Sequence, residues 1–186
     1  MPSQITHLAI AKRYLEKHPG LIRDVQRFLD GSVLPDLDSN KERSHCGVRA
    51  ERTNIVKRNL EKVDPQKFLD THDMQDDLNK GWYLHLYVDY QYYNNFLKDY
   101  FRRVGFVQSS IDMYETTRRD DKHLMERYRV AYTDTGYAPG LVEINLKWDR
   151  EHERRHGHDY AYEIPYTLSE LDAFVEEMSA FHFVDK

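Results

Sequence analysis

A histidine and an aspartate four positions apart are the residues of this sequence that point most clearly to chemistry. His85 and Asp89 lie in a segment whose apolar and aromatic residues recur every three or four positions, which predicts a helix. Residues four apart lie on one face of a helix, about one turn from each other. Since that face is otherwise apolar, both side chains should point into the protein, where a carboxylate needs a partner or a metal. The two residues form either a buried hydrogen-bonded pair or part of a metal site.

Three more residues could complete a metal site. His7 lies on an apolar stripe of a predicted N-terminal helix, and Asp36 and His45 lie in the long segment 31–47, which has no sustained period. Taken singly, they could be a core histidine, a turn aspartate and an ordinary loop histidine. Taken with the first pair, they make a set of three imidazoles and two carboxylates. Such a set suits zinc, and Mn²⁺ or Fe²⁺ would also be accepted.

Helices must position most of these residues. Ser3 can cap the first helix, Asp64-Pro65 begins another, and Thr167 with Glu170 forms a capping box at the start of the last. The predicted helices cover residues 3–17, 21–31 and 76–101 and a C-terminal stretch after Thr167, with weaker helical patterns at 48–60, 111–114 and 124–128.

One segment alternates instead between apolar and polar residues. Residues 142–148 have this strand pattern, and residues 160–164 could pair with them across a polar loop that holds three histidines, Glu151–Asp159. No repeat or linker is visible. We therefore predict a mostly α, single-domain helical bundle spanning residues 1–186, with one short β-hairpin near residues 141–166.

Composition excludes several classes of protein. The chain has 186 residues, 40% of them hydrophobic and 32% charged. No stretch approaches the roughly 18 apolar residues of a transmembrane helix. The formal charge of −5 is not the basic field on which non-specific nucleic-acid binding usually rests, so we predict neither a nucleic-acid nor a membrane partner. With one cysteine, Cys46, and no visible signal peptide, the sequence favours the reducing cytoplasm.

Four motifs together resemble a known family. They are, in chain order, Thr6-His7, Gly31-Ser-Val-Leu-Pro35-Asp36, Ser44-His45, and Gly81-Trp-Tyr-Leu-His85 followed by Asp89. Their order and spacing resemble the bacterial zinc-dependent phospholipase C family, whose all-helical fold is shared with single-strand-specific zinc nucleases. The likeness covers about the first 100 residues, with a loosely similar helical remainder. It implies that Asp36, His45 and His85 bind one zinc, and that Asp89 bridges to a second metal held also by His7.

The sequence also departs from that family. Family members use a free amino terminus as a ligand, whereas six residues precede His7 here. They also carry a further His, His, Glu set, and the corresponding positions fall near Asn95, Ser109 and Met113. Glu115, Asp120, Asp121 and His123 could substitute for that set. The resemblance therefore implies a small intracellular relative with one or two metal ions rather than three.

A hydrolase of phosphoesters or phosphodiesters is the activity that follows from such a site. A divalent metal lowers the pKa of bound water to about 7 and polarises a phosphoryl oxygen. Asp36 is the candidate general base if one of its oxygens stays free. The expected partner is a small phosphoester substrate, and the oligomeric state is left open.

Two alternatives remain. His72-Asp73, with His45 upstream and Asp121 downstream, would fit an HD-type nucleotide phosphohydrolase but leaves His7, His85 and Asp89 unused. Because the downstream His, His, Glu set is missing, the chain could instead be a metal-stabilised binding protein that has lost catalysis.

Overall fold

The computed structural model of the chain describes residues 2–47, 63–104, 106–157 and 160–183, and these are mostly helical. The helices are α1 (Gln4–Lys17), α2 (Val25–Gly31), α3 (Leu34–Leu37), α4 (Lys41–Ser44), α5 (Pro65–Thr71), α6 (Asp77–Gln91), α7 (Lys98–Arg103), α8 (Phe106–Tyr128), α9 (Ala138–His156) and α10 (Leu168–Met178). A π-helical turn, Tyr92–Phe96, follows α6, and a 3₁₀ turn, Tyr132–Asp134, precedes α9. The predicted helical class is confirmed.

In the described part of the chain, every helix is too short or too polar to cross a membrane.

Local capping explains why several helices begin where the sequence predicts. The Ser3 hydroxyl accepts the Thr6 amide at 3.0 Å and starts α1. Asp64 accepts from the Lys67 amide ahead of α5. Thr167 and Glu170 form the predicted capping box of α10. Each of these caps satisfies backbone donors that a helix start leaves unpaired.

The predicted β-hairpin near residues 141–166 is wrong. Residues 142–148 belong to α9, and residues 160–164 are irregular, so the described residues contain no strand. The face of α9 that turns inward contains Leu141 and His152, which are buried, and Asn145, which is half-buried. These positions follow helical spacing. Val142 and Leu146, which suggested alternation, lie 43% and 52% exposed on the other side of the helix.

Other differences concern element boundaries. The predicted helix over 76–101 is interrupted by the π turn, and the weak patterns at 111–114 and 124–128 are both part of α8. The segment 31–47 contains the short helices α3 and α4. The helical pattern predicted over 48–60 lies outside the described residues.

The core is built around α1, which packs against α2, α6, α8 and α10. Two glycines let α2 and α6 approach each other with their backbones in contact. A Cβ on Gly31 would lie 2.0 Å from the carbonyl oxygen of Leu78, and a Cβ on Gly81 would lie 2.0 Å from that of Phe28. Side chains at these positions would force the helices apart, so the glycines set the distance between α2 and α6.

Candidate metal centre

Five side chains from four helical segments, one of them α1, meet in one cluster. They are the five residues that the sequence predicts as ligands. His7 comes from α1, Asp36 from α3, His45 from the end of α4, and His85 and Asp89 from adjacent turns of α6. All five are at most 5% exposed.

Two overlapping groups of ligand atoms form this cluster. His7, His85 and Asp89 make one group, and Asp36, His45 and His85 make the other. Within each group the candidate atoms lie within 4.8 Å of one another. The group of Asp36, His45 and His85 is the set that the resemblance assigns to one zinc. The other group contains His7 and Asp89, which the resemblance assigns to a second metal.

The distances inside the cluster are long for hydrogen bonds, and the shortest of them match the spacing of ligands around a metal ion. The Nε2 atoms of His45 and His85 are 3.3 Å apart, and His45 Nε2 is 3.4 Å from Asp89 Oδ2. The other separations to carboxylate oxygens are longer, 3.5 Å from His7 to Asp89, 3.8 Å from His85 to Asp89 and 3.9 Å from His45 to Asp36. Ligand atoms at the usual distance from a tetrahedral zinc are about 3.3 Å apart. Hydrogen bonds between nitrogen and oxygen are shorter, about 2.7–3.2 Å.

Asp89 lies between the two groups. Its Oδ1 faces His7, and its Oδ2 faces His45 and His85. Among the described residues, both Asp89 oxygens and both His7 ring nitrogens are buried without a hydrogen-bond partner. Buried polar atoms are normally satisfied, so four such atoms at one point are candidate ligands of a metal ion.

The backbone contact between α2 and α6 orients His85. Its Nδ1 donates to the carbonyl oxygen of Ser32, which follows α2, at 2.9 Å. That bond leaves the Nε2 lone pair directed at the centre of the cluster, the arrangement that metal-bound histidines commonly have.

Contacts of His45 and of its neighbour Ser44 hold this part of the chain in place. Its Nδ1 is 2.8 Å from the Ser44 hydroxyl, and its backbone oxygen accepts the Asp64 amide at 3.1 Å. The Trp82 indole of α6 donates to the Ser44 carbonyl at 2.8 Å. These contacts fix the end of α4 against α6, so that the Nε2 of His45 also faces the cluster.

The two carboxyl groups of the cluster are ionised at pH 7 although they are buried. Burial alone would raise the pKa of Asp36, but the neighbouring His85 and the Lys41 ammonium, 3.4 Å from Oδ1, bring it to about 2. Burial would likewise raise the pKa of Asp89, yet the imidazoles of His45 and His7 lower it well below the ordinary value. Burial lowers the pKa of His85 to about 3, so this imidazole is neutral at pH 7. Two ionised carboxylates beside a neutral imidazole suit a divalent cation.

The other candidate residues lie apart from the cluster. His72 stacks on Phe68 with centroids 3.8 Å apart, and neither it nor Asp73 belongs to either ligand group in the described chain. The downstream candidates have partners of their own. His123 pairs with Asp172, Asp121 with Ser3, Asp120 with Arg119, and Glu115 with Tyr160.

The prediction of a polar, histidine-rich turn at 151–159 is also wrong. Helix α9 continues to His156. Within it, His152 is 9% exposed and stacks on Tyr114 with ring centroids 3.7 Å apart. Residues 158 and 159 lie outside the described residues.

Several residues around the cluster have no motif that could identify them. Gln4 and Lys41 contact Asp36, and Asn145 contacts Gln4, only because the helices pack as they do.

No family model, curated protein or solved structure matches this chain. The resemblance to zinc-dependent phospholipases C therefore stays a prediction from the four motifs.

Proposed function

We propose that this chain is a metal-dependent hydrolase of a phosphoester or phosphodiester, and that zinc or a similar divalent ion occupies the cluster. The observation that supports the metal most directly is the set of buried atoms without hydrogen-bond partners on His7 and Asp89. Without a cation these atoms lose their hydration and gain only imidazole–carboxylate contacts of 3.4 Å or longer. The order of the four motifs supports the reaction class.

The ligand roles follow from which atoms face one another. Asp36, His45 and His85 would hold one ion, together with Asp89 Oδ2. The second Asp89 oxygen faces His7, which suits a carboxylate bridging to another ion. His85 can give its Nε2 to one ion only, although it belongs to both groups. The cluster therefore accommodates one or two ions, with Mn²⁺ or Fe²⁺ as alternatives to zinc.

Nitrogen and oxygen ligands without cysteine sulfur are typical of catalytic rather than purely structural zinc sites. A bound divalent ion supplies a Lewis acid for a phosphoryl oxygen and lowers the pKa of water. Asp36 stays the candidate base. Its Oδ2 accepts from Gln4 and its Oδ1 faces Lys41, and each oxygen keeps a second lone pair that could take a proton. Lys41 is 36% exposed and places a positive charge at the edge of the cluster, where an anionic phosphoester would approach.

Elemental analysis of the purified full chain, followed by assays with bis(p-nitrophenyl) phosphate and p-nitrophenyl phosphate in added Zn²⁺ or Mn²⁺, tests the proposal. We expect about one or two ions per chain, and hydrolysis that disappears on chelation and returns with metal. A chain that takes up neither ion would overturn the proposal.

Burial of all five ligand side chains favours a second candidate, a metal-stabilised protein without catalysis. Such a protein would hold the ion as firmly but remain inert towards a broad set of phosphoesters. Chelation would then lower its melting temperature without removing any activity. The geometry gives no comparable support to the HD-type alternative, because His72 and Asp73 lie outside both groups found among the described residues.

A further inference from the structure

Two amides connect Asp36 to helix α9. The Gln4 side chain is 1% exposed, and its Nε2 donates to Asp36 Oδ2 at 2.8 Å. At its other end, Gln4 Oε1 accepts from the Nδ2 of Asn145 at 3.3 Å. The first helix, which also holds His7, is thus joined through one side chain to a candidate ligand and to α9.

Asn145 is itself held in place. Its Nδ2 lies 2.9 Å from the carbonyl oxygen of Leu141 and 3.1 Å from the hydroxyl of Tyr132. The amino end of the Asn145 amide is the donor in both contacts; since it carries two hydrogens and Gln4 is its third acceptor, one hydrogen is shared between two acceptors. The amino group of Asn145, and not its carbonyl oxygen, therefore also faces Gln4.

The order of donors and acceptors matters because a glutamine amide has two different ends. In the observed orientation Gln4 presents a donor to the Asp36 carboxylate. In the reversed orientation it would present its carbonyl oxygen to a carboxylate oxygen and the two would repel. The donor on Asn145 favours the first orientation, since only then does Gln4 Oε1 face it.

This arrangement also separates the two oxygens of Asp36. Oδ2 is occupied by Gln4, whereas Oδ1 faces the cluster, 3.9 Å from His45 Nε2, and is also 3.4 Å from Lys41 Nζ at the cluster's edge. The carboxylate is thereby turned so that it offers one oxygen to the centre.

We infer that Gln4 and Asn145 are a positioning pair: Asn145 fixes the amide of Gln4, and Gln4 fixes Asp36 as a ligand through one oxygen. The inference rests on the proposed metal site. Through this pair, helix α9 would influence metal binding indirectly, without direct contact between its residues and the metal.

A double-mutant cycle on metal affinity tests the pair. Gln4→Met, Asn145→Leu and the double variant are titrated with Zn²⁺ in competition with a chromophoric chelator. Loss of a hydrogen bond to a metal ligand typically weakens binding about 10–100-fold, and we expect this for Gln4→Met. Asn145→Leu, one step further away, should weaken binding less, about 3–10-fold. The double variant should bind like Gln4→Met, because Asn145 acts through Gln4.

The matched control is Asn79→Leu on α6, whose side chain instead donates to the Asp73 carbonyl. It should bind Zn²⁺ like the wild type. Urea unfolding of each apoprotein separates a loss of affinity from a loss of fold. A second readout needs no metal: the side-chain amide protons of Gln4 should exchange slowly in the wild type and faster in Asn145→Leu, as followed by NMR.

Three results would count against the inference. Equal affinities in all variants, or losses that multiply in the double variant, would overturn it while leaving the metal site intact. Unchanged exchange of the Gln4 amide in Asn145→Leu would do the same. Absence of Zn²⁺ or Mn²⁺ uptake by the wild type would overturn the proposed function and, with it, this inference.

Discussion

The Nε2 atoms of His45 and His85 face each other at 3.3 Å although 40 positions separate the two residues in the chain. Since His85 donates its Nδ1 proton to the Ser32 carbonyl, its Nε2 carries no proton when the ring is neutral. His45 can then donate to it in the absence of a cation. With the proposed cation bound, both Nε2 lone pairs would face it, and His45 would carry its proton on Nδ1 instead. The Ser44 hydroxyl beside that nitrogen can donate or accept, so it serves both tautomers.

His85→Ala should therefore abolish metal binding and activity together, because it removes the one atom that belongs to both ligand groups. We expect less than about a tenth of the wild-type metal content after dialysis, in line with loss of a direct ligand. Elemental analysis and phosphodiester hydrolysis measure the two effects. His72→Ala is the control and should keep both. Loss of metal in His72→Ala, with retention in His85→Ala, would instead favour the HD-type alternative.

His7→Ala distinguishes one bound ion from two. Asp36, His45 and His85 remain in this variant, so at least one ion should stay bound. A wild type with two ions per chain should lose one of them. The control is His152→Ala, which removes another buried histidine, one stacked on Tyr114, and should leave the stoichiometry unchanged. Complete loss of metal in His7→Ala would contradict the division into two groups.

The sequence predicts the residues of this cluster better than their surroundings. His85 and Asp89 are recognisable because four-residue spacing on a helix is a local property. Gln4, Ser32 and Asn145 could not be found in this way. Their contacts to the site join residues 32, 53 and 141 positions apart, and these depend on how the helices pack.

The wrongly predicted hairpin has a different cause. In residues 142–148 every second side chain is apolar, but Val142 and Leu146 are exposed. The alternation therefore did not reflect a buried face. Helix caps such as Ser3 and Thr167 were reliable because a cap acts on backbone groups within the same turn.

Gly81→Ala should damage both the fold and the site. The added Cβ would lie 2.0 Å from the Phe28 carbonyl oxygen, a backbone atom that can move only with α2. Forcing α2 away also withdraws the Ser32 carbonyl from His85 Nδ1. We expect unfolding to require about 3 kcal/mol less free energy, and Zn²⁺ to bind more weakly.

Urea unfolding and Zn²⁺ titration measure these two effects of Gly81→Ala. Gly136→Ala is the control, since the atoms nearest its Cβ would be those of the Asp30 side chain, at the ordinary contact distance of 3.4 Å or more. It should stay within about 0.5 kcal/mol of the wild type. A Gly81→Ala protein with wild-type stability would show that the contact between α2 and α6 can open without loss.

Asp121 should make the stability of the fold depend on pH between about 4 and 7. Burial raises the pKa of its carboxyl from 3.8 to about 7, the hydrogen bond from Ser3 opposes this, and the nearby Asp120 adds to it. In this window the folded chain holds a proton that the unfolded chain has released. Stability therefore falls as the pH rises through the window, and it levels off once the folded carboxyl has ionised.

Asp121→Asn removes this dependence, because the amide stays neutral at every pH. The variant should gain stability relative to the wild type as the pH rises from 4 to 8, by at most about 4 kcal/mol for a shift of this size. Urea unfolding at pH 4, 5.5, 7 and 8, in the presence of a chelator, gives the difference between the two proteins. Carboxylates that do not interact with Asp121 titrate alike in both proteins, so their contributions cancel. Asp99→Asn, at a side chain 94% exposed, should show no such trend. A difference between Asp121→Asn and the wild type that stays constant across these pH values would mean that Asp121 ionises as readily in the folded chain as in the unfolded one.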